Sequence, residues 1–268
     1  MIILRTAVYG QQVPLPPIND VADALEAAGD RFATALAAMP DPSARAGSLD
    51  WTVHELGAHL ATGVPGYAAM VRGEPTHLTS LATREEAGAA AIAREARTSQ
   101  VELADRVRHG SKDFADHLRG FASHDPLRFY DAMLPAAVVG SLLVAELLVH
   151  GWDLARVSIP RRAAAIAGPA GLSVLPLVVR PGTAPRQATL GFRVRGHADV
   201  VVTIDGDEAR VEDGPGRVDV RLSAEPVTFL LVAYQRRNPI RPMLSGRLSI
   251  VGPRPWRMKA LRNRFITA

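Results

Sequence analysis

At 268 residues the chain is long enough to bury one large core or two modest ones. It has no cysteine, which excludes disulfides, a cysteine nucleophile and a thiolate metal site, and leaves any thiol chemistry to an external thiol. The net charge of +4 is unevenly spread: nine basic and no acidic residues follow Glu225, a tail that can attract anions. That tail lacks the glycine-aromatic pattern of RNA-binding modules and any helix-turn-helix or zinc-finger spacing, so no nucleic-acid partner is expected.

Met1 to Gly10 carries Arg5 within a short apolar run and no small-residue cleavage site, so it does not read as a signal peptide and a cytoplasmic location is expected. Residues 1–18, with Pro14, Pro16 and Pro17, read as an arm. A first helix is expected from Asn19 or Asp20, residue types that cap helices, through Val21, Leu25, Ala28, Phe32 and Leu36, closed by Met39-Pro40. Thr52-Val53-His54-Glu55 matches a capping box, so a second helix starts at Thr52 with Val53, Leu56, His59, Leu60 and Val64 on one stripe. Arg84 to Arg119 predicts a long, mostly polar third helix broken at Gly110, with Ile92, Val101, Leu103, Val107, Phe114 and Leu118 as core candidates. Pro135 suits the first position of a fourth helix reaching about Val157. Its apolar run, Leu134 to Val149, is short for a bilayer and is followed by His150 and Asp153, so burial in a bundle is expected and no membrane partner.

Near Ser158 to Arg162 the pattern changes. A helix around Ala163–Val178 is followed by β-branched runs at Ala188–Val194, Val200–Ile204, Ala209–Val211 and Val218–Leu222. A helix from Pro226 to about Arg236, a strand at Arg247–Val251 and a last helix after Pro253 complete the chain. The layout predicts an α+β fold: an arm over 1–18, an antiparallel four-helix bundle over 19–160 and a small α/β domain over 161–268.

Glu146 and His150 stand four apart on the nearly all-apolar fourth helix, so both project from one face. A lone carboxylate buried there costs several kcal/mol unless a proton, a partner or a metal compensates. His59 lies in the apolar stripe of the second helix and points into the same core. Two histidines and one carboxylate from facing helices are a metal-ligand set that leaves positions open, as in catalytic zinc and some non-heme iron sites. The plainer alternative is a core histidine hydrogen-bonded to a carboxylate. Asp153, three residues on, either orients His150 or pairs with Arg156 on the surface. His54 reads as exposed, and His77, His109, His117, His124 and His197 as mostly solvated.

The segment Trp51-Thr-Val-His-Glu-Leu-Gly-Ala-His59-Leu-Ala, with Ala145-Glu-Leu-Leu-Val-His150-Gly-Trp-Asp-Leu-Ala, resembles the two metal motifs of DinB-like bundle proteins. The closer resemblance is to the mycothiol-dependent maleylpyruvate isomerase family of actinobacteria. In the C-terminal half, Val220-Arg-Leu-Ser-Ala-Glu-Pro-Val-Thr-Phe-Leu-Leu, Gln235-Arg236 and Gly246-Arg-Leu-Ser-Ile-Val-Gly resemble that family's sterol-carrier-like domain. The resemblance implies a divalent metal, zinc, on His59, Glu146 and His150, and mycothiol as thiol cofactor or co-substrate. It further implies a small electrophilic substrate, such as a carboxylate, and either cis-trans isomerisation or thiol S-transfer. Arg236 aligns with a family arginine implicated in holding an anionic substrate, and Arg237 could take that role. On its own residues Arg236 reads equally as a surface arginine meeting helix C-terminal carbonyls. A second reading is a non-catalytic, metal-stabilised module that binds an acidic or lipidic ligand.

Overall fold

Three of the helices are fixed by side-chain caps or by the residues just outside them. In the computed structural model, which describes residues 15–177, 187–197, 199–206, 208–214 and 216–258, the Thr52 Oγ1 accepts from the Glu55 amide at 3.1 Å while the Glu55 carboxylate accepts from the Thr52 amide at 2.8 Å. This reciprocal pair starts α2, Val53–Arg72, and Gly73 in the left-handed region ends it. Helix α1, Ile18–Ala37, begins one to two residues before the expected caps; Pro17 precedes it, and Asp20 sits in the first turn, where its charge favours the helix N-terminus.

The expected long third helix is two helices. α3, Arg84–Arg94, ends before a turn, and α4, Gln100–Leu118, starts behind Ser99, whose side chain accepts from the Glu102 amide. Ser99-x-x-Glu102 is a capping signature that outweighs helix propensity there. Gly110 lies inside α4, where an added Cβ would sit 3.2 Å from Pro65, so it permits close approach to α2 and breaks nothing. Leu103, Val107, Phe114 and Leu118 are fully buried, Ile92 is half-buried, and Val101, at the start of α4, is exposed.

A hairpin that sequence periodicity does not reveal precedes the last bundle helix: β1, Pro126–Phe129, pairs antiparallel with β2, Ala132–Pro135. Pro135 is therefore the last strand residue and the cap position of α5, Ala136–Ala155, rather than its first residue. α5 ends at Ala155, because Arg156 turns into the left-handed region. At 20 residues it is long and apolar enough to cross a membrane, but 83% of its apolar window is buried. Helices α1, α2, α4 and α5 form a four-helix bundle, with α3 against α2.

The described residues divide into two compact units between Ile159 and Pro160. The second is a five-stranded sheet of order β5-β4-β3-β6-β7, built from β3 (Gln187–Val194), β4 (Asp199–Asp205), β5 (Glu208–Asp213), β6 (Val220–Ala224) and β7 (Leu248–Val251). The β3–β6 pair is parallel and the rest are antiparallel. Helix α6, Arg161–Ser173, stops short of the expected Val178; a 3-10 turn at Leu175–Leu177 contains Pro176, and Val178 itself lies outside the described residues. Helix α7, Pro226–Ala233, is also shorter than expected, because Gln235 adopts a left-handed φ of 60°. Phe192 of β3 meets Phe229 of α7 edge to face at 6.3 Å in the core between sheet and helices. A short α8, Ile240–Leu244, was not expected, and the last helix expected after Pro253 falls mostly outside the described residues. The chain is thus α+β, helical first and sheet-containing second.

The other sheet face carries a charged network. Asp199 accepts from Arg193 at 2.6 and 2.7 Å and from Arg221 at 2.7 Å, with only 11% of its side chain exposed. Hydrogen bonds from Arg193, with the charges of both arginines, hold its carboxyl below the ordinary carboxylate value against the effect of burial. A depressed folded value contributes stability that is present above the unfolded value, about 4, and lost as pH falls through the folded one. Denaturant midpoints are therefore expected to drop on acidification below about pH 4. An Asp199→Asn variant that drops as steeply as the wild type would refute this attribution.

Candidate metal centre

The capping box fixes where α2 starts, and α5 is buried on nearly every face, so polar side chains of both helices meet inside the bundle. His59 Nε2 lies 2.9 Å from Glu146 Oε1, and His150 Nε2 lies 3.3 Å from the same oxygen. One ligating atom from each residue falls within 4.8 Å of the others. The three residues singled out in the sequence are therefore brought together from two helices whose motifs are 87 residues apart. Side-chain exposure is 26% for His59 and 21% for Glu146 but 9% for His150, so the cluster is open on the His59–Glu146 side.

His150 is fixed from behind. Its Nδ1 lies 3.2 Å from Asp153 Oδ2, which leaves Nε2 aimed at the cluster, and the Asp153 side chain is 2% exposed. Of the two roles open to Asp153 in the sequence, this geometry realises the first. The Arg156 guanidinium stacks 4.9 Å over the Trp152 ring. Gly47, with φ of 57°, packs on the Asp153 backbone; an added Cβ would sit 2.7 Å from its carbonyl oxygen.

The electrostatics match a ligand set. Burial by itself raises the Glu146 carboxyl, but attraction to His150 and hydrogen bonds with His150 and His59 outweigh it and hold the group well below the ordinary carboxylate range. Burial opposes charge on His150, yet Glu146 and Asp153 overcome it and raise the imidazole to about 9. Glu146 thus stays anionic, with two imidazoles turned toward one of its oxygens. A divalent cation placed among them replaces protons, and the nitrogen and oxygen donors suit zinc.

Sequence reasoning missed several neighbours. Trp51, just before the capping box, places its ring 4.8 Å from that of His59 and 6.2 Å from that of His150, roofing the cluster. Tyr67 lies eight residues after His59 on α2, and this i, i+4, i+8 spacing is the signal that could have flagged it. His54 is half-buried, not exposed, because its Nε2 lies 3.0 Å from the Thr98 carbonyl. His77 and His117 are also half-buried, and burial lowers both imidazoles. Arg236 belongs to the second unit, just beyond α7, half-buried, with its guanidinium donating to the Tyr234 carbonyl at 2.8 Å. Arg237 is half-buried beside it.

Over residues 22–155 the chain matches the family model of the mycothiol maleylpyruvate isomerase N-terminal domain, and over 180–260 that of the SCP-2 sterol transfer family. Two solved structures, of a mycothiol-dependent maleylpyruvate isomerase and of a histidine-to-alanine mutant of it, are each 16% identical to the chain and superpose with a TM-score of 0.53. Each match covers 88% of this chain and 93% of the other, a likeness of fold. Among curated proteins, none matches the chain in sequence.

Proposed function

The chain belongs to the family of the mycothiol maleylpyruvate isomerase N-terminal domain, and from that premise we propose that it is a metal-dependent enzyme using mycothiol, or a similar low-molecular-weight thiol, on an electrophilic small molecule. The observation that carries this reading is the convergence of His59, Glu146 and His150 in a cluster open on one side. Residues 19–160 form the metal-binding domain in this reading and residues 161–268 a second domain. A structural zinc site takes four protein ligands, whereas three leave room for an exogenous one.

His59, Glu146 and His150 hold the ion, which when bound supplies a Lewis acid that favours the thiolate form of a thiol at neutral pH. Asp153 keeps the His150 Nε2 turned inward. Glu146, anionic without a proton, balances the positive charge. Trp51 shields the two imidazoles from water on one side. Addition of a thiol to an electrophilic carbon followed by elimination yields cis-trans isomerisation when the same group leaves, and S-transfer when another does. Maleylpyruvate, the substrate in the name of the structural neighbours, is the first compound to test.

Arg236, in the basic C-terminal region, is our candidate for the substrate-carboxylate contact, with Arg237 as its alternate. The SCP-2 match supports a small-ligand role for this domain, which the non-catalytic reading shares. Zinc-loaded protein is expected to consume mycothiol in the presence of maleylpyruvate or another electrophile, and a chelator to stop it. Arg236→Lys should lose activity through loss of the bidentate fork. Turnover unchanged after the metal is stripped would overturn the proposal, and wild-type kinetics in both Arg236→Ala and Arg237→Ala would remove the arginine from it.

A further inference from the structure

The hairpin before α5 contains a strained residue with a polar end. Its two-residue loop is Tyr130-Asp131, and Tyr130 has φ of 52°, a left-handed conformation that favours glycine and strains a tyrosine. Neighbours enforce it. The Tyr130 amide donates to Met70 Sδ at 3.0 Å, and the Asp131 carboxylate accepts from Ser80 Oγ at 2.8 Å and the Leu81 amide at 3.3 Å. The outcome is that the Tyr130 hydroxyl meets the Tyr67 hydroxyl at 3.0 Å.

Tyr67 shares a face of α2 with His59, two turns away and about 12 Å along the axis, and helical side chains lean toward the N-terminus, here toward His59. Gly63 occupies the turn between them, and an added Cβ there would meet nothing within 4 Å. The wall from His59 to Tyr67 therefore borders open space. Two phenols that share one hydrogen bond carry two protons, of which the shared bond uses one. Either hydroxyl can donate in the shared bond, but Tyr130 is 3% exposed and Tyr67 half-buried, so the remaining O–H is presented to a ligand by Tyr67 when Tyr130 turns to donate.

We propose that the Tyr67 hydroxyl, positioned by Tyr130, is the oxyanion donor of this site and binds a carbonyl oxygen of an α,β-unsaturated substrate. This rests on the thiol chemistry proposed above. When a sulfur nucleophile adds to the conjugated carbon, the S–C bond forms and the π pair moves onto the carbonyl oxygen; elimination reverses both, so no oxidant and no net proton are needed. The Tyr67 hydroxyl donates a hydrogen bond to that oxygen throughout and keeps its proton. Burial, with Tyr130 and Glu146 nearby, lifts the Tyr67 phenol well above its ordinary value, which keeps it protonated at working pH. Tyr67 is thus a catalytic residue and Tyr130 a positioning one.

The test uses the full-length zinc-loaded protein with Tyr67→Phe, Tyr130→Phe and the double variant. Acetylpyruvate, whose enolate carries the required oxygen, serves as binding probe in calorimetry, and maleylpyruvate with mycothiol as the turnover assay. Zinc stoichiometry is expected to stay at the wild-type level. Tyr67→Phe should weaken acetylpyruvate binding about tenfold and lower kcat about 100-fold with little change in KM, the loss seen when one oxyanion donor is removed. The double variant should lose no more than Tyr67→Phe alone, since Tyr130 acts through Tyr67. Wild-type acetylpyruvate affinity in Tyr67→Phe, or losses that simply add in the double variant, would overturn the proposal. If Tyr67→Phe does not fold, the binding loss in Tyr130→Phe decides instead. Failure of the wild type to consume mycothiol would count against the thiol reading alone, because probe binding and its dependence on Tyr67 are measured without the thiol.

Discussion

Replacing His59, Glu146 or His150 by alanine is expected to abolish stoichiometric zinc binding while leaving the helical content of the bundle intact. Each replacement leaves two ligands, and two cannot hold zinc against water and buffer in a site that is already open on one side. The fold should survive, since α1, α4 and the rest of α2 and α5 supply a core with Phe32, Leu56, Phe114 and Leu147 almost fully buried. Glu146→Ala has an additional consequence: it leaves two imidazoles facing each other, with ring centroids 5.2 Å apart and no anion between them. That variant should also lose about 1–3 kcal/mol of stability in the metal-free form, the cost of unpairing a partly buried polar group. Elemental analysis with far-ultraviolet circular dichroism checks both parts. Full metal content in all three variants would sink the assignment of ligands.

Asp153→Asn is expected to weaken zinc binding by about 10–100-fold, the usual cost of losing the carboxylate behind a ligating histidine. Asparagine retains the shape but not the charge that raises His150, and its amide can present either end to Nδ1. Gly47→Ala approaches the same contact from the other side. Its Cβ would collide with the Asp153 carbonyl and demand a left-handed backbone from alanine, so Asp153 has to move and its hold on His150 loosens. Competition titrations against a zinc chelator measure both. Wild-type affinity in Asp153→Asn would show that the 3.2 Å contact does not orient the ligand.

Much of this was legible in the residues themselves. The α2 capping box is written in four consecutive residues, and the strands of the second unit are written in alternating Val, Ile and Leu, because local hydrogen bonding and period-two burial need no distant partner. Glu146 and His150 could be placed on one face of one helix from spacing alone, since a single helix fixes their relation.

Relations between elements were not legible in the same way. The hairpin Pro126–Pro135 reads as a loop, because its strands are four residues long and its turn contains a tyrosine where glycine is favoured; packing against α2 and α5 and the Asp131 contacts with Ser80 and Leu81 hold it. A break in the polar segment reads at Gly110 and not before Ser99, because a glycine in a polar helix looks like a stop until its neighbour is known to be Pro65. Ring placement around the cluster, with Trp51 over both imidazoles and Tyr67 against Tyr130, depends on where the loop before α2 and the hairpin return to the bundle. Caps, periodicity and charge burial act within a few residues, so the capped start of α2, most strands of the second unit and the shared face of Glu146 and His150 follow from the residues alone. Only the tertiary structure decided that one carboxylate oxygen of Glu146 meets both imidazoles and that a buried aspartate stands behind one of them, because the approach of α2 to α5 is set by close packing summed over the whole bundle core.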